Sequence, residues 1–133
     1  ADLRPGRVRH WATGTAAPCL SLFKPIAVDD SLTLGPIPTD RFDEASLWWR
    51  HERIHRRVMQ DPLRLGPVAT ADFAELERTW LAEPPAPSQA WAAGHQLLEA
   101  AWARERQIPV HDLRPWWVRR YWRTRNARAG LPN

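Results

Sequence analysis

Between His10 and Asp30 the chain reads HWATGTAAPCLSLFKPIAVDD, and this stretch limits the fold more than any other. Two segments with strand character, Val8 to Thr13 and Ser21 to Val28, flank a joint of small residues and a proline. β-Branched and aromatic residues mark the first, and the apolar run Leu20, Leu22, Phe23 leads into the second. Gly14 and Pro18 mark the turn between them. Pro25 removes a ladder donor from the second segment, which assigns that strand to a sheet edge or a bulge. Helical patterning follows. The expected fold class is therefore α+β: a short β-hairpin or strand pair, about residues 8–28, then three to four helices over about 41–128. Two strands do not close a sheet on their own, and an open edge is a pairing liability. The pair is expected to associate with a missing part, to self-associate or to be covered by tryptophan-rich helices.

The helices are read from caps and breakers. Residues 29–40 form a loop ending at Asp40, an N-cap for a helix to about Gln60. Pro62, Gly66 and Pro67 then break the chain. Thr70 caps a second helix whose Phe73, Leu76 and Trp80 share one face, with Asp72 and Glu75 near the positive end of its dipole. Pro84 to Pro87 force another break, and Ser88 caps a third helix to about Gln107. Asp112 starts a fourth, with Pro115 in its first turn and Gly130 with Pro132 closing it.

A chain of 133 residues with 44% hydrophobic content makes one ordinary domain, residues 1–133. It carries no bilayer-length apolar run and no charged-then-apolar signal segment, so a cytoplasmic location without membrane contact is expected. Cys19, the single cysteine, has no partner for an internal disulfide or a thiolate metal cluster. Met59 is the only methionine, and the chain reads as the downstream part of something longer. Its charge is uneven: residues 104–133 hold eight arginines against Glu105 and Asp112, a local +6, while the remainder is −2. Lys24 is the one lysine among nineteen basic residues, and nine tryptophans are present. Heavy Arg and Trp use beside abundant Ala and Pro mirrors a GC-rich coding bias, so it is discounted as a functional signal.

His51-Glu52-Arg53-Ile54-His55 is a literal H-E-x-x-H on a predicted helix. In metallopeptidases that spacing sets two imidazoles one turn apart on zinc, with the glutamate as general base and Glu75 or Glu77 as an acidic third ligand here. Helix geometry favours another use. At about 100° per residue, Leu47, Trp48, His51, Ile54 and Val58 share one arc, while Arg50, Arg53, Arg56 and Arg57 fall outside it. His51 therefore reads as a core-facing, hydrogen-bonded histidine. Trp91, His95, Leu98 and Trp102 repeat the pattern on the third helix. The expected metal and cofactor complement is none. In the tail, WWVRRYWRTRNARAG interleaves aromatics with arginines as a nucleic-acid surface does. Leu113, Trp117, Tyr121 and Thr124 nevertheless share a side, so a packed terminal helix is expected, with nucleic acid the lesser reading.

The segment TGT…P…S.FKP followed by the helix RHE resembles the C-terminal part of the secernins and related bacterial dipeptidases, which are cysteine amidohydrolases of the N-terminal-nucleophile class. The likeness covers about residues 8–58. It implies that the chain is the C-terminal segment of a larger αββα sandwich, a scaffold for amide hydrolysis of small peptides. Its expected partner is the N-terminal part of the same hydrolase, or a second copy. The family's nucleophile is a cysteine at the mature N-terminus, using its own α-amino group as base, and Ala1 stands first here. Cys19 is internal and has no histidine nearby in sequence, so it is read as a small, partly buried residue, and no catalytic residue is expected in this chain. Thr13, Gly14 and Thr15 are the candidate substrate-pocket residues: a turn at the end of packed strands offers N–H and O–H donors. A plain connecting turn is the alternative.

Overall fold

The computed structural model describes residues 10–27, 32 and 34–131. A two-stranded antiparallel sheet is followed by five helices. Strand β1 spans His10–Ala12 and β2 spans Lys24–Ile26, in the register His10 to Ile26, Trp11 to Pro25 and Ala12 to Lys24. The expected strand residues 8, 9 and 28 lie outside the described residues. A single 3-10 turn, Pro18–Leu20, shapes the joint. Gly14 adopts φ +65°, and a Cβ there would come within 2.7 Å of the Trp91 ring. The turn thus needs glycine for conformation and for space.

Helix α1 runs Leu47–Val58, shorter than the expected helix from Asp40. The residues before it turn instead, because Asp43 Oδ1 accepts from Ala45 N–H at 2.8 Å and Phe42 is drawn onto the Trp49 ring. Helix α2, Pro62–Ala69, occupies a stretch read as a chain break. Proline at a first helical position loses no hydrogen bond, and the Asp61 side chain accepts from Arg64 N–H at 3.3 Å. Leu65 and Ala69, one turn apart, then bury an apolar edge. Pro67 lies inside the helix on its exposed side. Helix α3 is Phe73–Ala82, with Asp72 rather than Thr70 at its N-cap. Thr70 instead ends α2, its hydroxyl donating to the Gly66 carbonyl. Helix α4 is Pro87–Glu105, capped at Ala86 rather than Ser88.

Helix α5 is Trp116–Ala129. Pro115 takes the N-cap position, while Asp112 is held by the Arg114 guanidinium at 2.8 Å. Gly130, at φ +69°, ends the helix, with Leu131 N–H reaching the Asn126 carbonyl, the expected left-handed termination.

The main core gathers Leu47, Ile54 and Val58 of α1, Leu65 and Ala69 of α2, and Trp91, Leu98 and Ala101 of α4. Leu22, Phe73, Trp80 and Ala90 form a second cluster that seats α3 against the hairpin. A third, Trp49 with Ala129 and Leu131, fastens the end of α5 to α1. The buried face of α5 differs from the expected one. Leu113, Trp117 and Tyr121 are exposed, and the helix packs through the side carrying Val118, Trp122, Asn126 and Ala129. Arg56 of α1 decides this orientation: it donates to Asn126 Oδ1 at 2.9 Å and lies over the Trp122 and Trp49 rings. Among the described residues no helix is long and apolar enough to cross a membrane.

Candidate functional site

Polar side chains converge where the hairpin joint meets α1 and α4. Their centre is His51, 2% exposed. Its Nε2 lies 3.0 Å from both the Leu20 carbonyl and Ser21 Oγ. A carbonyl only accepts, so the ring proton sits on Nε2. Ser21 spends its own hydroxyl proton on the Ala17 carbonyl at 2.6 Å, and the Thr15 hydroxyl completes the chain by bonding to Ser21 Oγ. The direction of these bonds has a chemical consequence. His51 donates toward Ser21 rather than drawing its proton away, and Nδ1 has no hydrogen-bond partner to orient it. The pair therefore lacks the base-and-orienter logic of an activated serine. Burial holds the His51 pKa below the ordinary imidazole value, so the ring is neutral near pH 7.

Lys24 approaches the same spot from β2. It is 3% exposed, donates from Nζ to the Leu22 carbonyl at 2.8 Å and lies 4.6 Å from the centre of the Trp91 ring. Burial lowers its pKa to about 8, against a weaker raising effect of Glu77. Room for its stem comes from Gly94 in the middle of α4, where a Cβ would fall 2.8 Å from Lys24 Cδ. A mid-helix glycine costs about 1 kcal/mol relative to alanine, so this position trades helix propensity for the lysine. His95, on the next residue, accepts at Nδ1 from Arg50 at 2.9 Å, since arginine only donates. Burial first, and then Arg50 and Lys24, lower its pKa. Arg50 continues outward to Glu99 at 3.2 Å.

A cavity of about 20 Å³ opens among Thr15, Lys24, His51, His95, Leu22 and Phe73. That space holds a water molecule and not a peptide. The cluster is thus a pinned polar anchor for the joint, with Thr15 on its wall. Of the three candidate pocket residues, Thr13 is buried and Gly14 is exposed at the turn; neither lines this cavity. The part played by Lys24 escaped sequence reasoning, although its standing as the single lysine among arginines was a signal.

The HERIH residues are occupied separately. Glu52 accepts from His55 Nδ1 at 2.9 Å and from Arg56 Nε at 2.7 Å, contacts that hold its carboxyl below the usual range despite burial. His51 points to the joint instead. Glu75 pairs with Arg78, and Glu77 accepts from Phe23 N–H at 2.8 Å. Among the described residues no three His, Cys, Asp or Glu side chains gather as a metal-binding group. Cys19 is exposed rather than partly buried, because the 3-10 turn after Pro18 directs it to solvent. No protein family, curated protein or solved structure matches the chain.

Proposed function

We propose that the chain is a scaffold and pocket-wall segment of a secernin- or dipeptidase-like amide hydrolase, completing an αββα sandwich with a segment that carries the nucleophile. The observation that supports this reading is the His51 bridge. The two sequence blocks that carry the resemblance, residues 10–26 and the RHE helix, meet through His51 bonded to Leu20 and Ser21. Thr15, in the turn that bears Thr13 and Gly14, joins the same network through Ser21, the kind of support a substrate-facing wall requires. A sandwich of this kind would extend the two-stranded sheet formed by the described residues with strands of the paired segment. Catalysis belongs to the paired segment, since the α-amino group of internal Cys19 is spent in a peptide bond and cannot act as a base.

The test is complementation. The purified chain is mixed or co-expressed with a cysteine-initiated N-terminal segment of a secernin-like dipeptidase, and dipeptide hydrolysis is followed. Neither piece alone is expected to turn over substrate; together they should, with activity lost on replacing the first cysteine and kept in Cys19→Ala. Hydrolysis by this chain alone that disappears in Cys19→Ala defeats the reading.

A further inference from the structure

The outward face of α5 gathers exposed aromatic side chains among arginines. Trp116, Trp117 and Tyr121 are 66%, 59% and 51% exposed. They border an open concavity of about 470 Å³ together with Arg120, Arg125 and Arg128. On the adjoining side of the helix, Arg119 and Arg123 edge a polar cleft of about 140 Å³. Residues 116–130 contain five arginines and no acidic residue. At about 100° per residue, Arg119, Arg123, Trp116, Arg120, Trp117, Arg128 and Tyr121 follow one another around a single solvent-facing arc. Trp116 and Trp117 stand edge-to-face, with ring planes at 87°, and Arg125 lies 5.1 Å from the Tyr121 ring centre.

We propose that this face of α5 binds single-stranded nucleic acid. Flat rings held at the surface offer stacking platforms to bases, and guanidinium groups between them meet the phosphates that link those bases. Interleaving is what this ligand requires, because its own charges and rings alternate. It also weighs against two other occupants. A second copy docked on the same face would bring the five arginines of each helix together, with only Asp112, already paired to Arg114, at the margin of that face. A lipid surface takes helices with the apolar sector segregated from the charged one, whereas here arginines lie inside the aromatic sector. The inference stands apart from the hydrolase reading, which rests on the opposite side of the molecule's α1 helix.

The full chain is titrated into fluorescein-labelled oligo-dT and oligo-rU of twenty nucleotides, a duplex of equal length, and phosphatidylserine vesicles, at several salt concentrations. Binding to the single strands should exceed binding to the duplex and to the vesicles, and should quench tryptophan emission. Trp117→Ala and Tyr121→Ala should each weaken it at least about 5-fold, the equivalent of ~1 kcal/mol for one stacked base. Their unfolding midpoints should match the parent, which separates lost binding from lost folding. Arg120→Gln combined with Arg128→Gln should flatten the log–log salt slope by about 1.4, as for two phosphate contacts, and the counterions they release, lost from a single strand. Binding that is absent at low salt, indifferent to Trp117→Ala, or stronger to vesicles or to the duplex overturns the proposal. So does concentration-dependent dimerisation that shields Trp117 from quenchers.

Discussion

Helices α1 and α5 are built from nearly the same vocabulary. One reads LWWRHERIHRRV and the other WWVRRYWRTRNARA, yet their side chains meet opposite fates. In α1 every arginine is partnered through its guanidinium, although the Nε atoms of Arg50, Arg53 and Arg57 make no hydrogen bond: Arg50 and Arg53 pair with Glu99, Arg53 also with Glu44, Arg56 with Glu52 and Asn126, and Arg57 with the Glu105 and Ile108 carbonyls. With its charges matched, the helix is buried nearly all round, and Trp49 enters the core. In α5 no ion pair to an arginine is found among the described residues, and the rings of Trp116, Trp117 and Tyr121 stay at the surface. Burying a charge without a partner is expensive. Acidic neighbours, not the tryptophans, therefore decide which helix goes inside.

The widest separation between the two should appear on truncating a tryptophan from each. Trp49→Ala is expected to cost about 3–5 kcal/mol, the range for a large aromatic removed from a core. Trp117→Ala should stay within about 0.5 kcal/mol of the parent. Chemical denaturation of both variants decides, and comparable losses would erase the distinction.

Charge removal should follow the same division at smaller scale. Glu52→Gln leaves Arg56 and His55 without their buried carboxylate and should destabilise by about 3 kcal/mol. Arg123→Ala should have no measurable effect on the midpoint.

The smallest difference concerns pH. The folded-state pKa of His51 is depressed, so the unfolded chain binds more protons once pH falls below about 6.5. Stability drawn from the neutral ring is present above that pH and declines as acid is added. Glu105 acts in the opposite sense. Burial raises its pKa to about 7, against a smaller opposing effect of Arg57, so its contribution is present at acid pH and is lost as pH rises through 7. Glu105→Gln should remove the decline that accompanies rising pH between about 4.5 and 7, and His51→Gln the loss that accompanies acidification below the ordinary imidazole value. Hydrogen exchange should register both at α1 and α4, while α5 amides show neither.

How far the sequence predicts this molecule depends on whether a signal is local. The hairpin, the Phe73-Leu76-Trp80 face of α3 and the Gly130 stop are local matters of periodicity and backbone freedom, and they are present. The inward placement of His51 was likewise legible from its place among Leu47, Ile54 and Val58. What escaped depends on distant partners. Trp49 is buried because Phe42, Ala129 and Leu131 close over it, and no spacing within α1 announces them. Spacing leaves the α5 face undetermined, because Leu113, Trp117 and Tyr121 satisfy helical periodicity as well as the side actually used. Contacts distant in the chain choose between them, among them Arg56 to Asn126, 70 residues apart, and Trp49 with Ala129 and Leu131. Helix α2 is hidden by prolines that read as breakers, although Pro62 falls where a proline is harmless.

The space that Gly94 leaves for Lys24 ties two distant positions into one choice. An alanine at 94 arriving alone meets the lysine stem and must push it aside. The same alanine arriving after a shorter side chain at 24 finds room and gains helix propensity. The order of the two changes therefore sets whether the first is harmful, and a double-mutant cycle on positions 24 and 94 should return a coupling that neither single variant predicts.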